Sequence, residues 1–133
     1  MIRNFLAYEL AKKLHRKVEA MQLKHQTKDQ LFRASQSIVL NLAEGSAKPT
    51  KRDKARFYAI AFGSTREVQA IFELIELKDA ETLDLADHIA ACLYKLTYRS
   101  RVPSPQPNLK SVTEVRSPKS GLLTDSRFRD PNP

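Results

Sequence analysis

Apolar positions in the first hundred residues recur every three or four along the chain, the spacing of one face of an α-helix. Four such runs stand out: Leu6, Leu10, Leu14, Val18 and Met21; Leu31, Ser35, Ile38 and Leu42; Phe57, Ala61, Ser64, Val68, Ile71 and Ile75; Leu83, Ala86, Ile89, Leu93 and Leu96. The strict alternation of a half-buried strand is absent. Thr27 with Gln30, and Thr50 with Asp53, read as side-chain caps on the free amides of helix starts. Gly45 supplies the left-handed residue that commonly ends a helix, and Pro49 discourages a restart before Thr50. The third helix should then run from about Lys51 to Lys78, roughly 40 Å at 1.5 Å per residue. Short links between four helices predict an all-α fold, an antiparallel up-and-down four-helix bundle over residues 1–100.

From Arg101 the chain changes character. The stretch RVPSPQPNLKSVTEVRSPKSGLLTDSRFRDPNP holds six of the seven prolines and no helical period. Such a composition cannot bury enough surface to offset the entropy of ordering, so residues 101–133 are expected to form a disordered Pro/Ser-rich C-terminal tail.

The second helix, DQLFRASQSIVLNLAEG, is apolar on more than one side. Leu31, Ala34, Ile38 and Leu42 make one stripe, and Phe32, Val39 and Ala43 make another. A four-helix monomer needs one stripe per helix, so the surplus predicts a homo-oligomer. Asn41 and Glu44 fall on neighbouring positions of one face. They lack any partner spaced for acid/base work, so a structural role is preferred. Glu44 is expected to pair with Lys51 or Lys54, and Asn41 to bond a neighbouring backbone or Tyr58. Gly63 costs a helix about 1 kcal/mol relative to Ala, which suggests another helix packed too close for a methyl group.

Charge changes the picture most. The chain carries +8 at neutral pH, and the excess is uneven. Residues 1–28 hold seven basic and two acidic side chains, residues 45–66 six and one, and residues 67–100 three and seven. Two clusters result: Lys12, Lys13, Arg16 and Lys17 on helix one, and Lys51, Arg52, Lys54 and Arg56 at the start of helix three. Together they are candidate nucleic-acid-binding residues, acting through phosphates and so with steep salt dependence. No zinc pattern, aromatic RNA-recognition motif, glycine-rich phosphate loop or clear helix-turn-helix accompanies them. Shape and charge should therefore matter more than base identity.

Other chemistry finds little support. His15, His25 and His88 lack ligand spacing, so neither metal nor cofactor is expected. Cys92 is the lone cysteine, in a helix-core setting. No apolar run is long enough to span a bilayer and no signal-peptide pattern opens the chain, so a cytoplasmic protein without a membrane partner is expected.

The segment Gln30 to Leu74 resembles the central motif of the four-helix-bundle family encoded in intervening sequences of bacterial 23S rRNA genes. Its marks are Gln30, Arg33-Ala34, Ser37-Ile38, the block Asn41-Leu42-Ala43-Glu44-Gly45-Ser46, Arg56-Phe57-Tyr58, Gly63-Ser64 and Arg66-Glu67. The likeness covers roughly residues 5–99, and departs from the family pattern at the N-terminus. It implies a homopentamer with a basic surface, no enzymatic activity, and kinship with the accessory protein of diversity-generating retroelements. Two functions stay open. One is a non-catalytic protein that binds structured RNA, ribosomal or from a mobile element, ahead of DNA. The other is a scaffold that serves a reverse transcriptase.

Overall fold

In the computed structural model, residues 5–99 are described. The expected tail, 101–133, falls outside the described residues. Four helices follow in order: α1 (Leu6–Glu19), α2 (His25–Ser46), α3 (Lys51–Leu74) and α4 (Ala80–Tyr94), the last continuing into a π-helical turn, Lys95–Arg99. Strands are absent among the described residues. Each helix packs on its neighbour in the chain, and α1 also packs on α4. Partners across α2 and α3 run in opposite directions, Gln30 with Glu67, Ser37 with Ser64 and Ser46 with Lys54.

The core is built from the predicted periodicity with a rotation of one face. On α1 the buried residues are Ala7, Ala11, Leu14 and Val18, whereas Leu6 is exposed and Leu10 only half-buried. Alanines in the first two turns let α1 sit close to its neighbours there, with Leu6 and Leu10 toward the rim, while Leu14 and Val18 fill the core further along. On α2 the expected Leu31, Ser35, Ile38 and Leu42 are all buried. On α3 the spacing found Ala61, Val68 and Ile71, but Tyr58 and Phe72 also face inward. Ala86, Ile89 and Leu93 of α4 complete the core.

The second apolar stripe of α2 is partly used within the subunit. Phe32 stacks on His15 of α1 with ring centroids 4.7 Å apart, Val39 packs against the core, and Ala43 is half-buried. Leu40, beside that stripe, is the large apolar residue of α2 left broadly open, with Ile60 and Leu74 on α3.

Helix ends correct several expectations. Thr50 caps α3, its hydroxyl accepting from the Asp53 amide at 3.1 Å. Thr27 is not a cap, because α2 begins two residues earlier, at His25. Gly45 does not end α2, which runs on to Ser46. Its reason is space: a Cβ there would lie 2.7 Å from Tyr58 Cε1 and 3.1 Å from Phe57 Cβ. Gly63 shows the opposite, since a Cβ there would meet nothing within 4 Å, so no helix of this subunit crowds it. Helix α3 stops at Leu74 rather than Lys78. Glu76 adopts a left-handed φ of 54°, and the Leu77 amide donates to Phe72 O at 3.0 Å while that of Glu76 reaches Glu73 O at 3.1 Å. This doubly bonded reversal usually employs glycine.

Two lysines close helix ends by donating to terminal carbonyls, which carry partial negative charge. Lys28 Nζ reaches Glu19 O at 2.8 Å and also Met21 O at the end of α1. Lys54 Nζ donates to Ser46 O at 2.9 Å at the end of α2.

Candidate nucleic-acid interface

The structure sends the two basic clusters to different parts of the molecule. Phe5, just before α1, lies against Tyr58 near the start of α3, with ring centroids 6.1 Å apart. Lys13 and Lys17 are further along α1 and reach Glu81 in the first turn of α4, at 3.7 and 3.3 Å. That turn follows the end of α3, so the clusters point toward opposite ends of a helix about 36 Å long.

On α1 most of the positive charge has company. Lys12 pairs with Glu9 at 3.3 Å and sits over the Tyr8 ring, 4.8 Å from its centroid. Lys13 and Lys17 share Glu81. Exposed pairs of this kind contribute little to stability, but they lower the potential a phosphate would feel. Arg16 is exposed and, among the described residues, has no carboxylate partner.

The corner between α2 and α3 is different. Lys51, Arg52 and Arg56 are exposed, and none of them pairs with a carboxylate among the described residues. They stand in the first turns of α3, where the helix dipole is already positive and acidic side chains are normally favoured. Asp53 is the acidic residue of that turn. Like charge therefore accumulates at the corner, at a cost to the folded state that a bound anion would relieve.

Lys54 belongs to this cluster in sequence but is half-buried and holds the end of α2 through Ser46 O. The residue missed from the sequence is Lys48. Its Nζ lies 5.0 Å from the Phe57 ring centroid while the Arg56 guanidinium lies 5.2 Å away, so one aromatic ring serves both cations. Lys48 also takes Glu44 as its partner at 3.0 Å, in place of the expected Lys51 or Lys54. Lys48 stands two residues past the end of α2, and the closing turn, with the Ala47 amide on Glu44 O at 3.2 Å and the Lys48 amide on Gly45 O at 3.1 Å, keeps it within reach of Glu44.

Asn41 does bond a neighbouring backbone. Its Nδ2 donates to Ser37 O at 2.9 Å and to Ser37 Oγ at 3.1 Å, and Ser37 Oγ meets Ser64 Oγ across the seam at 2.8 Å. Gln30 adds a longer contact to Glu67, 3.4 Å. A groove of about 480 Å³ runs beside these residues, lined by Gln30, Arg33, Ser37, Ser64 and Glu67 among others.

A family model described as 23S rRNA-intervening sequence protein matches residues 5–97. The chain belongs to that family. No curated protein and no solved structure matches it. In this intervening-sequence protein, several residues that mark the family likeness, Gln30, Ser37, Asn41 and Ser64, form the hydrogen-bonded seam between α2 and α3. Gly45 adds the close approach at its end. These marks fix how the two central helices meet, and through them where the basic corner stands.

Burial pushes the Cys92 thiol upward, against a smaller opposing pull from Lys95, so at neutral pH it is protonated and a poor nucleophile. Burial likewise raises the Tyr58 phenol. Among the described residues, no group of three or more His, Cys, Asp or Glu is placed to hold a metal ion, and no helix is long and apolar enough to cross a membrane.

Proposed function

We propose that this intervening-sequence protein is a non-catalytic, RNA-binding homo-oligomer that grips phosphates of structured RNA at the α2–α3 corner. What carries the reading is the exposure of Lys51, Arg52 and Arg56 without carboxylate partners, on a helix start that is already electropositive. Lys48, over the Phe57 ring with Arg56, adjoins the patch but shares its charge with Glu44, and Arg16 stands apart from it on α1. RNA of a ribosomal or mobile-element source is the expected ligand, recognised by shape and charge.

Oligomerisation would multiply a modest site, because corners repeated around a ring act on one polyanion with high effective concentration. The outward Leu40 and Ile60 are the apolar positions best suited to contact between copies. A pentamer is the assembly proposed, and sedimentation at micromolar concentration tests it: a monomer there contradicts it.

The test of the interface is Lys51→Glu, Arg52→Glu and Arg56→Glu together, with Lys54 left in place because it supports the fold. Affinity for a structured RNA fragment at low salt should fall at least about thirtyfold while helical content is kept. Unchanged affinity would remove the corner from the reading.

A second reading, a scaffold for a reverse transcriptase, draws on the other end of the molecule. There a groove of about 570 Å³ between α3 and α4 is lined by Gln69, Glu73, Glu76, Leu77, Leu83 and Asp87, among others. Three carboxylates and an apolar floor, with Arg66 and Lys78 beside them, suit protein better than RNA. A reverse transcriptase retained on the purified protein after nuclease treatment would favour the scaffold, and loss of every partner would favour RNA binding.

A further inference from the structure

At the far end of α4 three aromatic rings meet on the surface. Phe62 of α3 lies 6.1 Å from Tyr94 and 6.2 Å from Tyr98, and the two tyrosines are 4.8 Å apart between ring centroids. Phe62 is half-buried and anchors the group, while Tyr94 is 56% and Tyr98 39% exposed. Aromatic surface on this scale is normally withdrawn from water or put to use.

The backbone beneath the tyrosines is unusual. Helix α4 widens into the π turn Lys95–Arg99, a form that is rare and concentrated at functional sites. Inside that turn Thr97 is fully buried, and its hydroxyl has no partner among the described residues. Both features cost stability, and both fall where Tyr98 is set above Tyr94.

One cation stands beside the rings. Lys95 lies between the two tyrosines in sequence, is exposed, and pairs with no carboxylate among the described residues, whereas Arg66, one turn beyond Phe62, also lines the α3–α4 groove with Glu73 and Asp87. Arg66 is held by Gln69, its Nη1 donating at 3.0 Å. Tyr94 and Tyr98 pack on the first half of α3, so the rings share an end of the bundle with the basic corner. Phe62 and Arg52 are about 15 Å apart along the helix axis at 1.5 Å per residue. A short single strand can span that distance with its backbone on the corner.

We propose that Phe62, Tyr94 and Tyr98 form a stacking platform for unpaired bases of single-stranded RNA. This deepens the RNA-binding reading and rests on it: the corner holds phosphates, and the rings hold bases splayed from a loop or end. Every base offers a π-face, so the platform selects single strands over duplex without selecting sequence. Flanking Lys95 and the nearby basic corner favour a nucleic acid over a second copy of this chain, whose net charge is +8, as the occupant.

The protein has no tryptophan and four tyrosines, so its own fluorescence reports on the site. Titration with a 20-nucleotide oligoadenylate should quench tyrosine emission, whereas inorganic polyphosphate, an anion without bases, should bind with little quenching. The variant Tyr94→Leu/Tyr98→Leu keeps apolar volume and loses the π-faces. Its affinity for oligoadenylate should fall about tenfold or more, with affinity for duplex RNA within about twofold of the wild type, and Tyr94→Phe/Tyr98→Phe should restore binding. Equal oligoadenylate affinity in the folded Leu variant would overturn the platform. So would a change in sedimenting mass with RNA affinity intact, which would make the rings a subunit contact. Duplex binding that is lost on charge reversal at the corner, with no tyrosine effect, would leave the RNA reading standing and remove the platform alone. Absence of binding to oligoadenylate, duplex and polyphosphate alike would end both. Should the Leu variant lose its helical signal, the quenching comparison on the wild type decides by itself.

Discussion

Lys13 and Lys17 on α1 and Lys51, Arg52 and Arg56 on α3 carry the same sign of charge in different company. The α1 pair faces Glu81, brought in by the start of α4, whereas the α3 trio faces solvent at a helix start. Density of basic residues along the chain is similar in the two places. What separates them is tertiary: an acidic helix is packed beside one cluster and not beside the other. On the RNA-binding proposal, clustered basic residues make a phosphate site only where the fold withholds their counter-charges.

The largest expected effect sharpens this contrast directly. Reversing Lys51, Arg52 and Arg56 should cost RNA affinity at least about thirtyfold at low salt, while Lys13→Glu with Lys17→Glu should cost no more than about threefold. Filter binding to one RNA fragment measures both, and equal losses would erase the distinction between the clusters.

Next comes the geometry that places the corner. Gly45→Ala pushes a methyl into the buried Tyr58 ring and Phe57 Cβ. Overpacking of about 1–3 kcal/mol outweighs the helix-propensity gain of about 1 kcal/mol, so thermal melting should drop by roughly 5 °C. Gly63→Ala meets open space and should raise stability by about 1 kcal/mol. Calorimetry that finds both substitutions stabilising would show that the α2–α3 approach is looser than the structure has it.

A smaller effect comes from releasing the α1 lysines. Glu81→Gln should raise RNA affinity about two- to threefold by freeing Lys13 and Lys17, consistent with the modest strength of exposed ion pairs. No change would mean that α1 never faces the RNA.

The smallest effect concerns the cap beside that glutamate. The Thr82 hydroxyl, above all, holds the Asp79 carboxyl below its ordinary range, against an opposing desolvation effect, with backbone amides and Lys17 adding to the downward shift. A folded value below the unfolded one stabilises at neutral pH, and that contribution is lost as pH falls through the folded value. The stability gap between wild type and Asp79→Asn should be flat near neutrality and close below about pH 4. A gap that persisted into acid would have another origin.

Much of the fold was legible because spacing reports helices and their buried face with few alternatives. The first half of the α1 face was misplaced by one position, Ala7 and Ala11 taking the places expected of Leu6 and Leu10, since alanine is ambiguous between core and surface; Leu14 and Val18 are buried as expected. The end of α3 was hidden because Glu76 occupies a left-handed position where glycine is the usual mark. Gly45 was noticed for the wrong reason: sequence shows that a side chain is missing, but not whether backbone angle or a neighbouring ring requires it. The basic corner was visible as a run of Lys and Arg, while the neutralisation of α1 by Glu81 depends on residues more than sixty positions apart. The tyrosine platform joins Phe62 to Tyr94 and Tyr98 across two helices, and one turn of π geometry has no sequence mark that would have announced it.

The most direct measurement is the salt dependence of RNA binding by the wild type and by the Lys51→Glu, Arg52→Glu, Arg56→Glu variant. Each phosphate contact contributes about 0.9 to the slope of log affinity against log salt on a duplex, so the variant's slope should be shallower by about 3. Parallel lines, with the same slope for both proteins, would contradict the assignment of phosphate binding to this corner.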